Sequence, residues 1–223
     1  MKKIKKIPEH IGIIMDGNGR YALKKKKPRT YGHLLGGRNI FNVIQLAISY
    51  GIKNLTLFAF STENWKRSEE EVDFLMKTPI EYYNKYKDKL KEVDYKVKFI
   101  GRKDRISNSL KSTFEEIENL TKDNDKLTVN ICFDYGSIDE LILNIKSEVK
   151  DEKDLLSRLW IKEEVDLIIR TGNEFRLSNF CLIQSRYAEI FFSKKYWPQF
   201  GKSEFQKALI FYSKRNRRFG KLS

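Results

Sequence analysis

Of six short candidate strands in this chain, most are apolar at almost every position, and that property narrows the fold more than any other. The six are IGIIM (11–15), LTLFAF (55–60), YKVKFIG (95–101), LTVNICF (127–133), VDLIIR (165–170) and AEIFF (188–192). A strand with one face in water alternates apolar and polar residues; most of these do not, so both of their faces need cover, as in parallel sheets. Segments of helical period fill the gaps, at 36–50, 69–91, 104–121, 138–160 and 202–218. The alternation predicts an α/β fold with a mainly parallel sheet and right-handed crossovers. No repeat or Pro/Gly-rich linker divides the chain, so residues 1–223 read as a single domain.

The segment 69–91 carries the clearest helix signals. Ser68 and Glu71 have the spacing of a capping box, and Glu69–Glu71 suit the positive end of the helix dipole. That role accounts for Glu71 without a catalytic one. Pro79 lies well inside and predicts a kink or a loosened turn. Val72, Leu75 and Met76 mark the inward face before it; Tyr82, Tyr83 and Tyr86 follow it.

Charge and cysteines set broad limits. The net charge of +14 attracts phosphate, nucleic acid or anionic lipid. The lysine runs 2–6 and 24–27 are most simply solvated surface. Cys132 and Cys181 sit in apolar stretches and read as reduced core residues of a cytoplasmic protein. No Cys/His spacing suggests zinc, and two histidines, His10 and His33, are too few for a histidine-based metal site. No apolar run approaches the length of a membrane span, and the amino-terminal apolar stretch is too short, and ends too abruptly at Asp16, for a signal peptide.

Ligands of open parallel sheets bind beyond the carboxyl ends of the strands. After the first strand comes DGNGR (16–20), after the second STENWKR (61–67), and after the fifth RTGNEFRLSN (170–179). The glycines of the first loop let backbone N–H groups converge on an anion, and Arg20 and Arg29 can grip phosphate oxygens. A carboxylate at Asp16 repels phosphate unless a divalent cation lies between them, the usual manner of Mg²⁺; otherwise Asp16 only caps its turn. Arg170, Arg176 and Ser178 make a second phosphate candidate, or are plain surface residues. Two anion sites at one sheet edge point to two phosphorylated substrates. GRKDR (101–105) and DYGSIDE (134–140), after the third and fourth strands, read as mere connections. The first loop is neither a Walker A sequence nor a dinucleotide fingerprint.

These loops together resemble the cis-prenyltransferases. The likeness runs through HIGIIMDGNGRYA, GHLLGG (32–37), LTLFAFSTENWKR, RTGNEFRLSNF, YAEIFFSKKYWPQF (187–200) and RNRRFG (215–220), nearly the whole chain. The resemblance implies a six-stranded, mainly parallel sheet surrounded by helices, and a dimeric, Mg²⁺-dependent transferase. It condenses isopentenyl diphosphate with an allylic diphosphate, by expectation farnesyl diphosphate, and extends a cis-polyprenyl diphosphate within an apolar tunnel. The expected product is the undecaprenyl lipid carrier of cell-wall synthesis, released with transient contact at a membrane surface. By position, Asp16 and Glu189 are the implied magnesium residues. Gly17, Asn18, Gly19, Arg20, Arg29 and His33 fall at the allylic diphosphate pocket, and Ser61, Glu63, Asn64, Trp65 and Arg67 on a mobile loop beside it. Arg170, Arg176 and Ser178 fall at the isopentenyl diphosphate pocket; Arg218 and Gly220 match a segment that reaches the partner subunit. Tyr21 and Ile183 replace usual tryptophans, and Asn173 replaces a glycine in the phosphate turn.

The implied reaction is ionisation of the allylic carbon–oxygen bond, attack by the isopentenyl double bond and loss of a proton. Asp16 and Asn64 are the catalytic candidates, the proton acceptor lying between Asn64 and the diphosphate itself. The competing readings are a short-chain synthase, a non-catalytic partner subunit of a prenyltransferase complex, and a basic nucleic-acid-binding protein. The last leaves the three loops unexplained.

Overall fold

Each apolar run forms a strand, and in the computed structural model, which describes residues 4–216, all six strands run parallel in one sheet. In chain order the strands are β1 (His10–Ile14), β2 (Asn54–Ser61), β3 (Lys96–Ile100), β4 (Thr128–Tyr135), β5 (Leu167–Arg170) and β6 (Glu189–Phe192). The helices are α1 (Asn18–Lys24), α2 (Arg29–Ser49), α3 (Glu69–Leu90), α4 (Asn108–Thr121), α5 (Ser137–Asn144), α6 (Glu152–Arg158) and α7 (Lys202–Ser213).

The near-continuous apolarity of the inner strands follows from cover on both faces, whereas β3, at an edge, alternates and leaves Lys98 exposed. Ile11, Ile13, Leu55, Leu57, Leu167 and Ile169 join one core with Val43, Ile44 and Ala47 of α2 and Phe205, Ala208 and Leu209 of α7. Ile14, Cys132 and Ile168 pack in a second cluster with Phe180 and Cys181. Both cysteines are buried and unpaired. Phe60, Phe133, Leu110 and Phe114 form a third cluster, bordered by Leu75 and Met76 of α3.

The strand order is β3-β4-β2-β1-β5-β6. From β1 the chain works outward to one edge, then returns to lay β5 and β6 on the other side. The reversal falls between β1 and β5, where Ile14 stands beside Arg170 in register. A doubly wound sheet opens its ligand crevice at such a point, because the flanking connections diverge there. Asp16 and Arg170 therefore meet.

Several helices differ from the sequence reading. The segment 36–50 begins earlier, at Arg29, and a seven-residue helix, α1, precedes it. The segment 138–160 breaks into α5 and α6, where Asp151 caps the second piece by accepting from the Asp154 N–H. Its charged middle offers no continuous apolar face to hold one helix. Helix α4 starts at Asn108, capped by Ser107, and α7 ends at Ser213. Helix α3 spans Glu69–Leu90, close to the expected 69–91, and contains Pro79. Its capping box, however, is absent: Ser68 makes no side-chain cap bond, and the Glu71 carboxylate is engaged elsewhere. Arg218 and Gly220 lie outside the described residues.

Gly12, in the middle of β1, lets the second cluster close on the strand. A Cβ there would come 2.7 Å from Ile168 Cδ1 and 3.1 Å from Phe180 Cε1. Gly12→Ala should lower the unfolding free energy by about 1–3 kcal/mol, the usual cost of overpacking. Urea unfolding with an unchanged slope checks it; an unshifted midpoint would show that the cluster yields.

Candidate active site

A cleft of about 570 Å³ opens at the carboxyl ends of β1, β2 and β5. It brings together Asp16, Gly17, Asn18, Gly19, Arg20, Arg29, His33, Ser61, Glu63, Asn64, Arg67, Arg170, Arg176 and Ser178, joined by Ile14, Met15, Phe58, Ala59 and Asn179. Two predicted residues within the described chain stand elsewhere. Trp65 does not line the cleft; its indole N–H donates to Asp134. Glu189 pairs in register with Leu167, three residues before Arg170, so it sits about 10 Å down the sheet from the strand end. Its carboxylate accepts from Arg215 at 2.9 Å.

The first loop is shaped by backbone demands. Gly17 has φ +101°, the left-handed region that costs glycine little. A side chain there would also strike the Tyr196 ring, at 2.5 Å. The Asp16 carbonyl accepts from the Trp197 N–H at 3.0 Å and from the Thr171 hydroxyl at 2.7 Å. The carboxylate is thus presented at a fixed point. The phosphate turn after β5 is built alike: Gly172 and Asn173 take φ +86° and +59°, and Ser178 and Asn179 take +50° and +62°. Asparagine tolerates this region better than most residues, so Asn173 keeps the turn a glycine would make.

The cationic side chains are held by carboxylates in two groups. In the first, Asp16 binds Arg20 at 3.0 Å through one oxygen and Arg170 at 2.8 Å through the other. Glu174 spans Arg20 and Arg176, at 2.6 Å from each. Arg170, almost wholly buried, also donates to the Ser178 hydroxyl at 2.8 Å and to the Arg176 carbonyl. Its Nε and the Asn18 Oδ1 are buried with no partner among the described residues. Burial works to raise the Asp16 pKa, but the hydrogen bonds from Arg170 and Arg20 outweigh it and hold the carboxyl below its usual range.

In the second group, Glu71 gathers Arg29 Nε, His33 Nε2 and an Arg67 terminal nitrogen, each at 2.8 Å. Burial again opposes ionisation, yet the bonds from Arg29 and His33 and the charge of Arg67 bring its pKa down to about 2. His33 is pushed below its ordinary value by burial, only partly opposed by Glu71, so it is neutral at pH 7. An ionised carboxylate only accepts, so His33 carries its hydrogen on Nε2. Sequence reasoning missed Glu71 and Glu174. The signal for both was the crowd of arginines, since like charges so close need counter-ions before any substrate arrives.

On the loop after β2, the Ser61 N–H donates to Asn64 Oδ1 at 3.2 Å, and Asn179 donates to Glu63 at 3.2 Å. The latter bond ties the second loop to the third. The arrangement suits two polyanions side by side: converging guanidinium groups, pre-oriented by carboxylates, over a partly apolar floor of Ile14, Met15, Phe58 and Ala59.

The Glu71 cluster makes a prediction with a sign. Its folded pKa lies below the ordinary 4.5. Its contribution to stability is therefore complete above that value and disappears as pH falls from 4.5 towards 2. Glu71→Gln should unfold about 2–3 kcal/mol more easily at pH 7, and the gap to the parent should close towards pH 2 in denaturant titrations. A gap constant with pH would show that charge is not its source.

The sequence profile of the family described as "Putative undecaprenyl diphosphate synthase" matches residues 14–220. Isoprenyl transferase of Aquifex pyrophilus is 43% identical over 97% of this chain and 97% of its own, and that of Thermotoga maritima 41% identical over 97% and 98%. The crystal structure of lavandulyl diphosphate synthase from Lavandula x intermedia, in complex with dimethylallyl diphosphate, superposes with a TM-score of 0.88 at 30% identity, covering 96% of this chain and 99% of that one. A probable undecaprenyl diphosphate synthase from Campylobacter jejuni superposes with a TM-score of 0.81 at 32% identity, covering 97% and 100%. A cleft of paired, carboxylate-held arginines on this sheet, with relatives matched along nearly their full length, makes the chain a member of the undecaprenyl diphosphate synthase family of isoprenyl transferases.

Proposed function

We propose that the enzyme condenses isopentenyl diphosphate with an allylic diphosphate, farnesyl diphosphate by preference, and repeats the step to a long cis-polyprenyl diphosphate for cell-wall lipid synthesis in the cytoplasm. The observation that carries this is the pair of arginine groups facing one cleft. Arg29 and Arg67 of the Glu71 group suit the allylic diphosphate, Arg170 and Arg176 of the Asp16–Glu174 group with Ser178 suit isopentenyl diphosphate, and Arg20, bound to both Asp16 and Glu174, would serve the allylic side from between them. Among the described residues no helix is long and apolar enough to cross a membrane.

Within the cleft, Arg20 and Arg29 would stabilise negative charge gathering on the leaving diphosphate. Arg170 would hold the second substrate's diphosphate beside the strand end. Asn64, fixed against the Ser61 backbone, is placed to orient a diphosphate oxygen that takes the departing proton. No group of three or more His, Cys, Asp or Glu side chains forms a complete metal cage among the described residues. That fits Mg²⁺, which is commonly held by one or two carboxylates with substrate phosphates completing the set. Asp16 would hold the ion, which when bound supplies further neutralisation of diphosphate charge. Glu189 does not line the cleft and accepts from Arg215, so of the two implied magnesium residues Asp16 is the one that faces it.

The growing product needs apolar cover. Phe58, Ala59 and Ile131 lie on inner strands, and Phe99 on β3, yet all keep partial exposure. We read the space between the sheet and α3 as the start of the product tunnel. Tyr83 is buried on its helical wall and donates to Glu116 at 2.5 Å, whereas Tyr82 and Tyr86 stack beside Phe41 nearer the surface. We also propose a homodimer. Ile138 and Ile142, one turn apart on α5, are 51% and 69% exposed and offer an apolar face for it. A short product is the second reading, favoured by the likeness to lavandulyl diphosphate synthase.

The test is incubation with farnesyl diphosphate, labelled isopentenyl diphosphate and Mg²⁺, with products resolved by length. A ladder abolished by EDTA and reduced about 10²–10³-fold in Asp16→Ala is expected. Its longest rung separates the long-chain from the short-chain reading, and no incorporation with any allylic primer would overturn both. Tyr83→Ala should move the longest rung upward and Tyr86→Ala should not; an identical ladder in Tyr83→Ala would remove Tyr83 from the tunnel.

A further inference from the structure

The connections after β3 and β4 carry no residue of the cleft, yet they hold the loop that does. Trp65 lies in the short helical turn Thr62–Lys66, between cleft-lining neighbours Asn64 and Arg67. Its ring meets Phe60 edge-on, with centroids 5.3 Å apart, and its indole N–H donates to Asp134 Oδ1 at 2.8 Å. Asp134 is fully buried near the end of β4, with φ +51°, a conformation that Asp and Asn accept more readily than other side chains. Arg105, from the connection after β3, donates Nε to Asp134 Oδ2 at 2.9 Å and a terminal nitrogen to Oδ1. Its guanidinium carbon also lies 5.6 Å from the Trp65 ring centroid. A second tie fastens the start of the turn: the Thr62 hydroxyl donates to Asp139 at 3.0 Å, and Asp139 accepts from Arg102 at 3.3 Å.

The aromatic cluster of Phe60, Phe114 and Phe133 could seat an indole ring by packing alone. A buried carboxylate is a costly way to hold a ring, because Asp134 must be fully desolvated while Arg105 stays about one-third exposed. What it adds is direction: one carboxylate, both oxygens used, fixes the orientation of the ring and of the turn that carries it. We propose that Asp134 and Arg105 are positioning residues for the transferase reaction. Through Trp65 they set where Glu63, Asn64 and Arg67 stand over the bound diphosphates. The inference deepens the functional reading above and rests on it.

The test compares Trp65→Phe, Arg105→Gln and Asp134→Asn with the parent by two readouts. The first is hydrogen exchange of the backbone amides of 62–67 in the free protein. The second is the split between KM and kcat for isopentenyl diphosphate, with farnesyl diphosphate and Mg²⁺ present. Trp65→Phe and Arg105→Gln should each speed exchange in the turn about tenfold, leaving β2 and β4 unchanged, and raise KM about tenfold with kcat within about twofold. The double variant should fall short of the product of the singles, because both act through one carboxylate. Asp134→Asn keeps a residue suited to the left-handed position but turns one of the two acceptor oxygens into an N–H donor facing Arg105 or Trp65, so it should loosen the turn and raise KM as the single variants do. If both single variants only melt earlier, with exchange and KM as in the parent, the tie is mere packing and the proposal fails. If the parent itself turns over no substrate, the functional reading fails, while the exchange readout still decides whether Asp134 and Arg105 hold the turn.

Discussion

Arginines converge on the carboxyl edge of the sheet, and that concentration of charge must be held in place before any substrate enters. The pair between Asp16 and Arg170 does this where β1 and β5 diverge, binding the first loop to the third. Glu174 extends it to Arg176, and Glu71 does the same for Arg29, His33 and Arg67. Without these carboxylates the guanidinium groups would repel one another and swing into solvent. With them, the cations stand ready in orientation and incompletely neutralised, the condition under which an incoming polyanion is bound without costly rearrangement.

Below this charged mouth the molecule changes character within one or two residues of each strand. Ile14 is followed by Met15 and Asp16, and Phe58 and Ala59 precede Ser61 on β2. The sheet thus grades from apolar to ionic along its own strands. A substrate with a diphosphate head and an isoprenoid tail matches that gradient, so one orientation of entry is favoured by solvation alone.

The inner strands were legible in the sequence because burial on both faces leaves a nearly unbroken apolar run, and the edge strand β3 was legible from its alternation of lysine with apolar residues. The first and third loops were legible because glycine, arginine and carboxylate residues cluster after such runs. Helix α1 was hidden within what read as a phosphate loop, since its seven residues carry too few apolar positions to show a period. Glu71 was misread for a different reason. Its spacing from Ser68 satisfies a local rule, while the groups that claim it, Arg29 and His33, lie 42 and 38 residues away in sequence. Asp134 and Arg105 stood in stretches that read as connections because pairs of opposite charge are common on surfaces. Only the fold shows this pair to be buried on the carboxylate side and joined to an indole.

The register of β1 on β5, with Ile14 beside Arg170, has a consequence for repeated turnover. Neighbouring strands lie at a spacing dictated by backbone hydrogen bonds, about 4.8 Å. On the proposed assignment, the loops after β1 and β5 that would receive the two diphosphates are rooted on these neighbours, so their separation is anchored to the geometry of the sheet and not to anything the reactants bring. A fifth addition and a first would then meet the same gap. An enzyme so built would measure its step with a ruler in its backbone, and would count its steps only where the tail ran out of room.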